Sequence, residues 1–171
     1  MFSNARSTLA FTLVELLVVV VVIGILAAIA LANFTADSRK AKNTSITLNM
    51  RTVQVAAEAY ATDSAGLYPA NAAGTMLNYM PGGSCSMTGT AGYLPVNPVS
   101  NGTSTIGDAG LATSKAIQTL RTQSSGAATN SAGNLSYSQA DAGTSYAVTG
   151  SNVDGQYITG AQGKNLVLSN Q

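Results

Sequence analysis

The sequence has no histidine, no tryptophan and a single cysteine, Cys85. Zinc sites built on imidazole, Ser-His-Asp triads and Cys-His dyads are therefore excluded by inventory. One cysteine cannot form an intrachain disulfide, and there is no CxxC pair. Charge is scarce as well. Asp, Glu, Lys and Arg make up 9% of the 171 residues, against roughly 25% in an average globular chain. The formal net charge is +1, so neither a broad basic face for nucleic acid nor an acidic tail is expected. Only four prolines occur, none between Phe11 and Leu67. The length allows one domain plus an appended segment.

Apolar side chains are concentrated in one place. Residues 16–32 form an unbroken apolar run, and residues 11–32 contain one charge, Glu15. As a helix at about 1.5 Å per residue these 22 residues span roughly 33 Å, enough for a hydrocarbon core of about 30 Å. The run is rich in valine, which disfavours helix in water, but lipid forces the backbone to satisfy its own hydrogen bonds. A cleaved secretory signal is the competing reading, because Ala28-Ile29-Ala30 and Ala30-Leu31-Ala32 have the A-x-A form. Glu15 is the anomaly in the run. A lone carboxylate at the bilayer centre costs about 3 kcal/mol, less toward the end of the span. It either lies in the headgroup zone or pairs with a cation from a neighbouring chain.

Ala10-Phe11-Thr12-Leu13-Val14-Glu15, followed by the apolar run, resembles the class III signal of type IV pilins and pseudopilins. The resemblance is specific over residues 10–34, weaker to about residue 63, and nearly silent beyond. It implies cleavage between Ala10 and Phe11 by a membrane prepilin peptidase, and N-methylation of Phe11 by the same enzyme. It also implies that Glu15 and the Phe11 amine of adjacent subunits meet during assembly. Leu13, Leu16, Leu17, Val20, Ile23 and Leu26 would then lie in a filament core. A subunit out of register would bury a naked charge. The implied partners are copies of the chain in a helical filament, the peptidase, an inner-membrane assembly platform and the membrane itself. The implied localisation is a single-pass inner-membrane precursor and an extracellular pilus after assembly. The sequence departs from the family pattern in having Ala10 where Gly is usual, Arg6 as the only leader cation, and Ala32 where many members have Pro. The Lys and Arg count, with Arg6 on one side and Arg39, Lys40, Lys42 and Arg51 on the other, would put the C-terminal part in the cytoplasm. The resemblance puts it outside.

Past the run, Ile46, Met50, Val53, Ala57 and Tyr60 recur at steps of four, three, four and three, an apolar seam on a continuing helix. Asn43, Thr47, Arg51, Thr52 and Glu58 mark the other face. Asp63-Ser64-Ala65-Gly66 supplies a stop. One helix over residues 11–63 is expected, its second half packing on its own globular domain; a short dimeric coiled coil is the other reading of the seam.

From residue 64 onward Gly, Ser, Thr, Asn and Ala dominate. Tyr68-Pro69, Pro81-Gly82-Gly83, Pro95, Pro98 and Asn101-Gly102 punctuate loop to about residue 107. Residues 112–121 predict a short helix with Ala116, Ile117 and Leu120 inward, and residues 124–134 a loop. Strands are expected at 145–149, 156–159 and 165–168, with a hairpin turn at Asn152-Val153-Asp154-Gly155. The fold class is thus α+β: a long N-terminal helix, hydrophobic in its first half, packed on a small antiparallel sheet. The domain organisation is a leader at 1–10, a hydrophobic transmembrane and polymerisation helix at 11–34, its amphipathic half at 35–63 and a globular domain at 64–171.

No spacing brings two carboxylates together for acid-base work, so no catalytic residue, cofactor or metal site is assigned and a structural, non-enzymatic role is expected. Some family members bind calcium in C-terminal loops. Asp108, Asp141 and Asp154 would be the candidates here, although Asx-turns explain them equally well. Cys85 is either an inert small side chain or an exposed thiol. The tyrosines are spread along the chain and form no visible stacking ladder. The expected function is a pilus subunit for adhesion, motility or DNA uptake. The alternatives are a type II secretion pseudopilin and a minor pilin acting as a membrane-anchored adhesin.

Overall fold

The computed structural model describes residues 11–171, apart from 125 and 161. The proline-free stretch forms one element, helix α1, Leu13–Asp63. The chain divides into two compact units, one ending at Ser38 and one comprising Arg39–Gln171. Over residues 16–31 α1 has no polar face, and every described residue from 11 to 31 is exposed. The helix is long and apolar enough to cross a membrane.

In the second unit the predicted seam is the centre of the fold. Ile46, Met50, Val53 and Ala57 are fully buried, and Tyr60 is half-buried. They pack against Leu135, Tyr137, Tyr146 and Val148 in one cluster. The seam therefore closes on this chain's own sheet, and the coiled-coil reading falls. The helix stops as its sequence suggests, with Gly66 N–H donating to the Ala61 carbonyl at 2.8 Å. Ala65, at φ 54°, takes the left-handed position that this C-terminal cap requires, and Gly66 follows it at φ 86°.

The sheet consists of β1 (Ile106–Gly107), β2 (Leu135–Ala140) and β3 (Ser145–Gly150), in that order. It is mixed, not purely antiparallel. β2 and β3 pair antiparallel from Leu135↔Gly150 to Ala140↔Ser145, whereas β1 runs parallel to β2. The reason is the connection: β1 leads into helix α2 (Ser114–Thr122), and a crossover through a helix returns the chain in the same direction. α2 starts two residues later than expected because the Thr113 hydroxyl accepts from Ala116 N–H at 3.2 Å and fixes the N-cap. Ile117 and Leu120 are buried, whereas Ala116 is only half-buried.

Side chains alternate across the sheet. Leu135, Tyr137, Tyr146 and Val148 face the α1 cluster, and Ala140 and Ala147 join Ile117, Leu120 and Val167 beside α2. Both sheet faces are covered, so β2 and β3 are buried almost throughout. The expected strands at 156–159 and 165–168 are only isolated bridges: Ser151↔Tyr157, Thr159↔Asn165 and Val148↔Leu168. Two tight turns cut each ladder short. Asn152 N–H donates to Gln156 O at 2.7 Å, with Gly155 at φ 74°, and Gly160 N–H donates to Lys164 O at 2.8 Å. A 3-10 helix, Gly74–Tyr79, lies in the stretch read as loop.

Close approach of α1 to β3 depends on Gly150, where a Cβ would lie 2.9 Å from both the Ile46 Cγ2 and the Met50 sulfur. Ile46→Ala should cost about 2–5 kcal/mol, whereas Val55→Ala, at an exposed position on the same helix, should stay within about 0.5 kcal/mol. Urea unfolding of the detergent-solubilised chain checks this; equal losses would contradict the assigned seam.

Candidate assembly site

The N-terminus of α1 is built by two side chains. Thr12 precedes the first helical residue, and its backbone N–H and hydroxyl both donate to Glu15 Oε2, at 2.9 and 2.8 Å. In return the Thr12 hydroxyl oxygen accepts from Glu15 N–H at 3.2 Å. This is a reciprocal capping box, T-x-x-E, which satisfies donors that the first turn leaves orphaned. The acidic side chain also sits at the positive end of the helix dipole. Hydropathy marks Glu15 only as a cost in lipid; the three-residue spacing to Thr12 is the signal that identifies its local partner.

Phe11 is exposed beside the cap, and Leu13, Leu16, Leu17, Val20, Ile23 and Leu26 are all exposed along the helix. Ala10 lies outside the described residues. The site is thus a capped helix end carrying one carboxylate, followed by an uncovered apolar surface.

In the second unit, tyrosines far apart in sequence converge. Tyr146 and Tyr68 donate from their hydroxyls to the two oxygens of Glu58, at 2.6 and 2.9 Å. The Tyr68 and Tyr146 rings lie 4.5 Å apart, and Tyr137 stacks on Tyr146 at 6.0 Å. Glu58, expected on the face away from the seam, instead ties α1 to β3. Burial and then the carboxylate push both Glu58-bound phenols above their ordinary pKa. Tyr79 donates to Asp63 at 2.7 Å, and burial followed by that charge pushes its phenol up to about 12. These networks lock the globular unit, and no spacing in the sequence signals them because only the fold brings the rings together.

The three loop aspartates are occupied within the chain. The Asp108 carboxylate accepts from Ser138 and from Gly110 N–H, Asp141 from Ser114 and Ser145, and Asp154 pairs with Arg39. No group of three or more His, Cys, Asp or Glu residues suited to a metal ion occurs among the described residues. Cys85 is an exposed thiol.

Residues 6–31 match the family model described as the prokaryotic N-terminal methylation motif. No curated protein and no solved structure matches the chain. The capped apolar helix and the matched motif together fit a membrane-anchored precursor with a class III prepilin signal. Residues 6–31 thus carry the class III prepilin signal found on type IV pilins and pseudopilins, and that motif points to a structural role rather than catalysis.

Thr12→Val removes the cap and should speed amide exchange at Glu15 and Leu16 about fivefold, the size of one N-cap bond. Thr12→Ser should restore protection, and Glu15→Gln, which keeps an acceptor, should largely retain it. Equal exchange in all three variants would rule the cap out.

Hydrogen bonds from Ser114 and Ser145 hold the Asp141 carboxyl below the ordinary 3.8. A depressed folded-state pKa stabilises the fold above the ordinary value, and that stability is lost as pH falls through the folded value. The Tm gap between the natural chain and Asp141→Asn should be constant from neutral pH to about 4 and close below it. A gap that persists to about pH 2 would contradict the assignment.

Proposed function

We propose that this chain is a subunit of a type IV pilus, stored in the inner membrane through residues 11–34 and drawn into an extracellular helical filament. The reading rests on one observation: the methylation motif falls on a helix whose apolar residues over 11–31 are all exposed among the described residues. In lipid that surface is satisfied; outside it, only similar surfaces from other copies can cover it. The prepilin peptidase would cut between Ala10 and Phe11 and methylate the Phe11 amine. The new terminus would lie one residue before Thr12, close to the carboxylate that Thr12 holds.

Transfer from lipid to a helix bundle leaves Glu15 in a low dielectric, where an unpaired carboxylate is penalised and an amine from an adjacent subunit offsets the cost. Leu13, Leu16, Leu17, Val20, Ile23 and Leu26 would supply the bundle core. An inner-membrane assembly platform would carry out the extraction. No nucleic acid, cofactor or calcium is required for this role.

Mass spectrometry of protein from its native cells should find a mature chain beginning at methylated Phe11, in filaments sheared from the cell surface. A chain beginning at Met1 or near Asn33 would sink the reading. A methylated chain confined to the cell envelope would assign it to a secretion pseudopilus instead. Glu15→Ala should abolish filaments while the protein persists in the membrane.

A further inference from the structure

The second unit has few large apolar residues, yet leaves several of them uncovered around one place. A groove of about 510 Å³ runs between α1 and the segment after the 3-10 helix, lined by Leu48, Arg51, Val55, Met80, Pro81 and Cys85. Leu48 and Val55 are 62% and 67% exposed. The Tyr93 ring, 79% exposed, stands at the groove's rim over Gly82, where a Cβ would meet it at 3.0 Å. Exposed apolar residues are unremarkable singly but mark an interaction site when they gather around one groove. Arg51 is the only charged residue among those lining it. Its guanidinium donates to the neutral Gln54 at 3.1 Å, and the ion pair found among the described residues is Arg39–Asp154.

The complementary surface is on the same sequence. Of the seven acidic residues, six have partners. Glu15 is capped by Thr12, Glu58 holds Tyr68 and Tyr146, and Asp63 holds Tyr79. Asp108, Asp141 and Asp154 are bound as described above. Asp37 alone makes no side-chain hydrogen bond or ion pair among the described residues, and it is exposed. Three residues before it is Phe34, 71% exposed, and residues at i and i+3 share one face of a helix. One surface of the chain is thus an apolar groove with a single cation, and another is a large aromatic ring beside a single free carboxylate.

We propose that the groove receives residues 34–37 of a second copy of this chain, with Phe34 filling it and Asp37 pairing with Arg51. The contact is heterologous: different surfaces meet, so every copy offers both halves and addition does not close on a dimer. The proposal rests on the filament reading and specifies one contact within it.

Cys85, the chain's only cysteine, lines the groove and reports on its occupant. Full-length Phe34→Cys, produced in its native cells and oxidised with copper–phenanthroline, should give a ladder of covalent multimers. The natural chain and Phe34→Cys/Cys85→Ser should give none. Asp37→Lys or Arg51→Glu should lower the ladder about fivefold, the size of one exposed ion pair, and the two together should restore it.

Phe34→Cys filaments without a ladder would overturn the proposal and leave the filament reading standing. Cys85–Cys85 dimers of the natural chain would overturn it in favour of a two-fold contact, and a cross-link to a different protein in favour of a foreign partner. Failure of the charge-reversed pair to recover would overturn the Asp37–Arg51 contact even if ladders form. No filaments from the natural chain, despite cleavage at Phe11, would remove the filament reading and this contact together.

Discussion

The globular unit depends on the burial of Ile46, Met50 and Val53 against Tyr137, Tyr146 and Val148. No disulfide is available to hold its loops, and its charges form one ion pair among the described residues. Apolar contact must therefore organise a segment composed mostly of small residues, and it can do so only at short range. Small residues supply that range. Gly150 lets α1 approach β3 where a methyl group would collide, and Ser136, Ser138, Ser145 and Ala147 let the strands be buried. Loops are then tied down by backbone and amide hydrogen bonds instead of side-chain mass. Asn97 is an example: it is 2% exposed, it accepts from Val99 and Ser100 N–H, and it donates to Ala132 O and Asn134.

Glu15 belongs to two descriptions at once. Hydropathy makes it a charge out of place; helix chemistry makes it the last residue of a T-x-x-E capping box whose partner is Thr12. The two descriptions are compatible, because the cap uses only one carboxylate oxygen, Oε2. A side chain already held at the helix mouth loses less freedom when it meets a cation than one that must first be ordered. The cap can therefore prepare the carboxylate for assembly without competing with it.

The legible parts of the fold were those with a period set by one element. The seam at 46, 50, 53 and 57 obeys helical spacing, and its burial matches it residue by residue. β3 was legible from the alternation in Ser145-Tyr146-Ala147-Val148. β2 was not, although Leu135-Ser136-Tyr137-Ser138 alternates as cleanly, because serine reads as loop and only α2 on the far face makes its burial favourable. The strands expected at 156–159 and 165–168 failed for the opposite reason: their composition was right, but the turns beside them prevented sustained pairing. Glu58 was misplaced because a face defined by hydropathy ignores a phenol able to reach over it. The N-terminal signal was legible as a motif, whereas the groove beside Arg51 was not, since half of its wall comes from a loop without periodicity.

A chain with so few charges has little electrostatic means of rejecting wrong contacts, so the placement of each charge matters more than the number. Six acids keep their charge but are held in place by hydroxyls, backbone amides or Arg39, so their carboxylates are already committed within the chain. Against that background one free carboxylate and one guanidinium at the rim of an apolar groove can set orientation, because a misaligned copy would bury either charge unpaired. Affinity then comes from apolar area, and direction from a single pair. A surface otherwise poor in charge is what allows so small an electrostatic difference to choose between packings.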